Sequence, residues 1–268
     1  MSQILTAIAD GHVVAKRNVI KIKRVPEILV FVLLSPIMFV LLFAYVFGSA
    51  IDVPGDVSYR EFLIAGIFAQ TAIFGATATG AGMAEDMQKG IIDRFRSLPM
   101  SRSAVLVGRT ASDIGSNEVS IVIMAGTGLL VGWRIRTSVW DALAGFALLL
   151  LFAYAFSWVM AYVGLLVPSP EVVNNASFIV IFPLTFIANT FVPSESLPTV
   201  LRVFAEWNPV SAVTQSARNL FGNTNPVDPP PDVWSLQNPE LYTLIWVAII
   251  LAVFVPLANR QYQKATTR

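Results

Sequence analysis

Ala142-Leu143-Ala144-Gly145-Phe146-Ala147-Leu148-Leu149-Leu150-Leu151-Phe152-Ala153-Tyr154-Ala155-Phe156-Ser157-Trp158-Val159-Met160-Ala161-Tyr162-Val163-Gly164-Leu165-Leu166-Val167 runs without an acidic side chain, a basic side chain or a proline. Crossing about 30 Å of hydrocarbon takes roughly 20 helical residues, so this stretch is long enough to span a bilayer. A soluble domain would hold its apolar residues in strand-length runs or amphipathic stripes instead. Composition agrees: the 268 residues are 55% hydrophobic and 13% charged, with a mean hydropathy of +0.67, which is too apolar for an ordinary soluble domain.

Five further apolar runs, 28–50, 61–84, 105–132, 172–192 and 241–258, have comparable length. The expectation is an all-α integral membrane protein with six transmembrane helices. Basic loops stay on the cytoplasmic side. The segment before the first span (Lys16, Arg17, Lys21, Lys23, Arg24), the stretch after the second (Lys89, Arg94, Arg96, Arg102, Arg109) and the tail (Arg260, Lys264, Arg268) outnumber the other side (Arg60, Arg134, Arg136, Arg202, Arg218) by 13 to 5, which places both termini in the cytoplasm. The first span exceeds the hydrophobic core of a secretory signal and reads as retained. Ahead of it, Ile4, Ile8, Ala15, Val19 and Ile22 share one helical face, opposite Arg17, Lys21 and Arg24. Residues 1–27 therefore read as a cytoplasmic amphipathic interfacial helix on membrane lipids, with a basic tail that only enforces orientation as the alternative. Residues 28–268 read as a single six-helix transmembrane domain.

Catalytic chemistry has little to work with. There is no cysteine, and His12 is the one histidine, so thiolate and histidine-rich metal sites and a histidine triad within the membrane are closed. A phosphate-cradling loop needs G-x-x-x-x-G-K-[ST], and no Gly-Lys dipeptide exists. The chain is expected to be no enzyme, with no cofactor, metal or nucleic acid of its own; ATP and magnesium would belong to a separate subunit.

The second span repeats small residues every four positions, Ala72, Ala76 and Gly80, which lets helices approach closely in lipid and predicts a central place in the bundle. Its Gln70, Thr71, Thr77 and Thr79 serve either as packing hydrogen bonds or, with Glu118 and Asn189, as the lining of a substrate path. A charge at mid-membrane costs at least about 2.5–3.5 kcal/mol. Asp113 lies one turn from Arg109, within pairing reach, whereas Glu118 is expected to face an internal cavity. The near absence of ionisable residues within the other spans argues against an ion-coupled carrier.

Residues 85–104 form a cytoplasmic loop in which Ile91, Phe95 and Leu98 share a helical face stopped by Pro99. So short a helix needs cover, and a partner groove gripping it could move the spans it joins. The run Glu85-Asp86-Met87-Gln88-Lys89-Gly90-Ile91-Ile92-Asp93-Arg94-Phe95-Arg96-Ser97-Leu98-Pro99-Met100-Ser101-Arg102, ending in Gly108-Arg109, resembles the cytoplasmic loop of type-2 ATP-binding-cassette (ABC) exporter permeases. A second segment, Phe191-Val192-Pro193, Leu197-Pro198, Trp207-Asn208-Pro209-Val210 and Arg218-Asn219-Leu220, is similar to that family's F-x-P, P, N-P, R series, especially in its daunorubicin-resistance-type branch.

The resemblance implies that Gly90, Ile91, Arg94, Phe95, Leu98 and Pro99 form a coupling helix docked on an ATP-binding subunit, present in two copies. It implies that Pro193, Pro198, Asn208, Pro209 and Arg218, within the extracytoplasmic segment 193–239, build short re-entrant helices between spans five and six that close the path outside. It also implies a second permease copy or a related permease, and a multi-pass position in the bacterial cell membrane. An apolar path suits a drug, lipid or polyketide-like cargo. A polysaccharide- or glycolipid-exporting permease is the nearest alternative, favoured by an aromatic-lined channel; an ion-coupled secondary transporter is a further one. The stretch 222–239, with Pro229-Pro230-Pro231, matches no motif and reads as a rigid external turn.

Overall fold

The computed structural model describes Leu34 and residues 37–47, 58–91, 104–167, 169–224 and 231–265. The N-terminal segment 1–27, with His12, and the coupling residues Arg94, Phe95, Leu98 and Pro99 lie outside the described residues. Among the described residues, regular structure is helical throughout.

Sequence signals set the helix ends. Helix α1, Ile37–Val46, is the described part of the first apolar run. α2, Tyr59–Gly75, starts at Ser58, whose hydroxyl accepts the Glu61 amide, and Glu61 adds the acidic first turn that a helix dipole favours. At Ala76 the backbone tightens: its amide donates to Ile73, and the Thr77 hydroxyl donates to the Phe74 carbonyl at 2.7 Å. α3, Thr77–Gln88, then continues the same crossing until Gly90 turns the chain at φ 64°. Helix therefore covers the first residues of the stretch expected to be loop.

α4 is Ala104–Val131 and ends at Gly132, φ 108°. α5, Val139–Leu166, is capped by Ser138, whose hydroxyl accepts the Asp141 amide at 3.2 Å. α6, Pro170–Phe186, opens with Ser169 as cap and a proline in its first turn, and a second proline, Pro183, sits one turn before its end. Expected to run to residue 192, this helix ends at Phe186, with the Ile187 amide closing the last turn on the Pro183 carbonyl at 2.9 Å. A 3-10 turn, Ser194–Ser196, leads to α7, Thr199–Trp207, and α8, Pro209–Phe221, which meet at Asn208. After Gly222, φ 73°, come α9, Trp234–Gln237, and α10, Pro239–Ala265. The expected rigid turn over 222–239 thus contains a helical turn, with Ser235 and Leu236 buried.

Among the described residues, four helical stretches are long and apolar enough to span a membrane: Tyr59–Gln88, Leu106–Val131, Val139–Leu166 and Pro239–Lys264. α1 and α6 are apolar but shorter. The second crossing, α2 with α3, is the most buried of the four, as its small residues predict. α5 is the other hub and packs on α2, α3, α4, α8 and α10. Backbone meets backbone where α3 crosses α5: a Cβ on Gly164 would lie 2.2 Å from the Gly80 carbonyl oxygen. At the opposite end, Phe68, Trp133, Phe146 and Phe221 form an aromatic knot with ring centroids 4.8–6.0 Å apart.

Candidate functional site

The second motif folds into one buried polar knot. Asn208 ends α7 and caps α8: its Oδ1 accepts the Val210 amide at 2.9 Å, while its Nδ2 donates to the Leu184 carbonyl at 2.7 Å and the Ile187 carbonyl at 3.3 Å. The carbonyls that α6 leaves open by stopping short thereby find a donor, as buried backbone groups require. Pro209 occupies the first turn of α8, where no amide is needed. Asn189 donates its amide to Ser211 Oγ at 3.0 Å and its Nδ2 to Gln215 Oε1 at 3.3 Å.

Arg218 closes the knot. It is 2% exposed; Nε donates to the Phe62 carbonyl at 3.0 Å, Nη2 to the carbonyls of Asn189 at 2.6 Å and Thr190 at 3.2 Å, and the guanidinium lies 3.5 Å over the Phe62 ring. One side chain thus binds α8 to α2 and to the loop after α6. Pro193 precedes the 3-10 turn and Pro198 precedes α7, so both prolines stand where helices begin. Beside the knot, Arg136 grips the buried Glu61 carboxylate with two nitrogens at 2.9–3.2 Å, and Trp133 Nε1 donates to Asn223 Oδ1 at 2.7 Å. The sequence carries no local sign of these pairings, since the partners are far apart in the chain.

The four residues expected to line a path lie on four different elements: α2, α3, α4 and the loop after α6. Gln70 is buried on α2, Thr77 is half-buried and bonded within its own turn, and Asn189 belongs to the knot. Glu118 lies on the exposed face of α4 beside Val119 and Val122. One residue is about 100° of helix rotation, and Asn117 takes the inward position, its Oδ1 filling the space a side chain on Gly75 would need. Asp113 is paired, accepting from Thr79 Oγ1 at 2.5 Å and from Arg109 Nε at 3.4 Å. Of the coupling residues, Gly90 and Ile91 are described, and they follow α3 directly.

A feature not anticipated from sequence is a line of phenylalanine rings. Phe39, Phe43, Phe191, Phe186, Phe182, Phe178 and Phe74 follow one another with centroid separations of 5.7, 4.6, 4.8, 4.0, 5.1 and 6.2 Å. Three of them, Phe178, Phe182 and Phe186, recur every four residues on α6, which stacks them on one face; Phe178 and Phe182 are exposed. The spacing was readable, but the continuation through Phe191 and α1 depends on how the chain turns after Phe186.

Family comparison covers most of the length: residues 11–221 match the model of the ABC-2 type transporter membrane family. The chain belongs to the ABC-2 type transporter family. This permease is 30% identical over 247 residues to the daunorubicin resistance ABC transporter permease protein DrrB1 of Streptomyces coeruleorubidus, covering 92% of this chain and 83% of that one. It is 25% identical over 233 residues to a probable doxorubicin resistance ABC transporter permease protein, DrrC, of Mycobacterium tuberculosis, covering 87% and 80%. A putative transport permease, ycf38, of Pyropia yezoensis is 24% identical over 214 residues. Both motifs of this ABC-2 permease fall within the matched region, and its several long apolar helices make it a multi-pass membrane protein.

Proposed function

We propose that this chain is the membrane half of an ATP-driven exporter that moves a lipophilic or amphiphilic cargo, of the drug, lipid or polyketide type, out of the cytoplasm or the inner leaflet of a bacterial cell membrane. The observation that carries the cargo class is the apolar face that α6 presents, where exposed aliphatic side chains accompany the phenylalanine line. Its neighbours on the exposed face are Val172, Ile179 and Val180, so it offers ring faces and aliphatic surface. Planar apolar molecules gain from such offset and edge contacts, about 0.5–1.5 kcal/mol per aromatic pair beyond area burial. The drug-resistance functions in the names of two relatives point the same way.

In this reading six helices span, with α1 and α6 as the first and fifth crossings and both termini cytoplasmic. α7 and α8 form the re-entrant pair, held shut by Asn208 and Arg218. Two copies, or one copy and a related permease, enclose the path, and two ATP-binding subunits grip the coupling residues Gly90 to Pro99. ATP and magnesium act there, outside this chain. A contact equal in both states shifts no equilibrium, so the grip on Ile91, Phe95 and Leu98 must differ between the open and closed nucleotide subunits. Phe95→Asp should abolish ATP-dependent transport and copurification of the ATPase while leaving the permease extractable and folded; an assembled, transporting variant would overturn the coupling assignment.

The aromatic line also keeps the polysaccharide reading alive as a second one, because sugar faces stack on rings. The two readings separate in proteoliposomes with the ATPase present: efflux of daunorubicin, blocked by Phe182→Ala, supports the first, and transport of a lipid-linked glycan with no daunorubicin efflux supports the second.

A further inference from the structure

We propose that Arg109 is a positioning residue for coupling: with Asp113 and Thr79 it clasps α3 to α4, so that the two helix ends flanking the 92–103 loop move as one body about the Gly80–Gly164 crossing. This rests on the reading that a nucleotide-hydrolysing partner grips that loop.

Three observations build the clasp. Thr79 Oγ1, fully buried on α3, donates to Asp113 Oδ2 of α4 at 2.5 Å. Arg109 Nε reaches the same carboxylate oxygen at 3.4 Å, and Arg109 Nη2 continues to the Ala78 carbonyl at 3.0 Å. The guanidinium occupies the place of a missing side chain: a Cβ on Gly82 would lie 2.0–2.4 Å from its nitrogens and Cζ. Arg109 therefore holds α3 at two levels, through Asp113 to Thr79 and directly at Ala78. Buried ions hold only when paired and further hydrogen-bonded, and this carboxylate and guanidinium are both.

Two further features let such a body move. Above the clasp, Gly75 and Ala76 interrupt the helical ladder, so α3 can reorient against α2. Beside it, the crossing of α3 on α5 is backbone against backbone at Gly80 and Gly164, with the Met160 carbonyl 2.7 Å from a Cβ on Gly80. Val173 Cγ1 of α6 and Met160 Cε lie beside it, 3.0 and 3.2 Å from such a Cβ, so the backbone contact fixes the separation of the two helices and makes this crossing the pivot. A pull on the loop is thus converted into a tilt of α3 and α4 together, against α6.

The test uses the full chain, which has no cysteine to remove. Spin labels at Gln88 and Ala111 report α3 against α4, and labels at Gln88 and Val172 report α3 against α6, with labelled chains diluted by unlabelled ones. In the resting permease the Gln88–Ala111 distance distribution should be narrow, and Asp113→Asn or Thr79→Val should at least double its width. Thr79→Ser should restore it, and Arg109→Lys should broaden it less than Asp113→Asn. In the complex with its ATPase, trapping with ATP and vanadate should shift the Gln88–Val172 distance and leave Gln88–Ala111 unchanged; in Thr79→Val both should move, with ATP hydrolysis continuing and transport lost.

A resting distribution equally narrow in all variants would overturn the clasp. A wild-type Gln88–Ala111 distance that shifts on trapping, or a trapped complex in which neither pair moves, would overturn the single-body motion. Should no ATPase bind, the functional reading fails, and the resting widths still decide the clasp.

Discussion

Arg218 shows how this membrane protein stabilises a cation without a carboxylate among the described residues. Its hydrogen bonds go to three carbonyl oxygens, and a ring faces its plane, an arrangement that suits a weakly hydrated, forked guanidinium and not an ammonium. Arg218→Leu removes the donors to the Asn189 and Thr190 carbonyls and should destabilise the fold by about 3 kcal/mol, read as a lower midpoint in thermal unfolding of the solubilised protein. Arg218→Lys, a point donor, should recover only part of that loss. Glu61→Gln should cost less, about 1 kcal/mol or under, and its effect should shrink with salt, because the Arg136 side chain is 57% exposed. The motif made Arg218 and Asn208 legible in the sequence. Their partners were not: the carbonyls of Leu184, Ile187, Asn189 and Thr190 are presented because α6 stops at Phe186, and that of Phe62 belongs to the distant α2.

Among the helices, the small residues sort into those that permit a crossing and those that do not. Gly164→Ala places a methyl group against the Gly80 carbonyl, and the backbones of α3 and α5 must separate; a loss of roughly 2–3 kcal/mol is expected from overpacking. Gly126→Ala meets nothing within 4 Å on α4 and should be neutral or stabilising by up to about 1 kcal/mol, since alanine favours helix over glycine. Parallel unfolding measurements on the two variants check the contrast. The four-residue repeat of α2 and α3 announced their central place, whereas α5, apolar on every side, carries no stripe that could reveal its role as the other hub. Nor could periodicity distinguish Asn117 from Glu118 as the inward residue of α4, because a boundary error of one residue turns the face by about 100°.

As a whole molecule, the chain joins a polar end knot, an apolar ring line and a pair of helix ends, on α3 and α4, held together by Thr79, Arg109 and Asp113. Hydrophobic length and the two motifs were enough to read its class and family, because a bilayer tolerates few alternatives to apolar helices. The contacts that set mechanical behaviour lie between residues distant in sequence, so they required the fold. α8 illustrates what this means for biogenesis. It is lined by Ser211, Thr214, Gln215, Ser216 and Arg218, all buried, and two of its bonds run to α10, Ser216 to Thr243 and Asn219 to Glu240. Too polar to rest in lipid alone, this helix cannot settle until the last one has left the translocon, so a nascent chain halted before Pro239 should stay bound to the insertion machinery and be a ready target for membrane proteases.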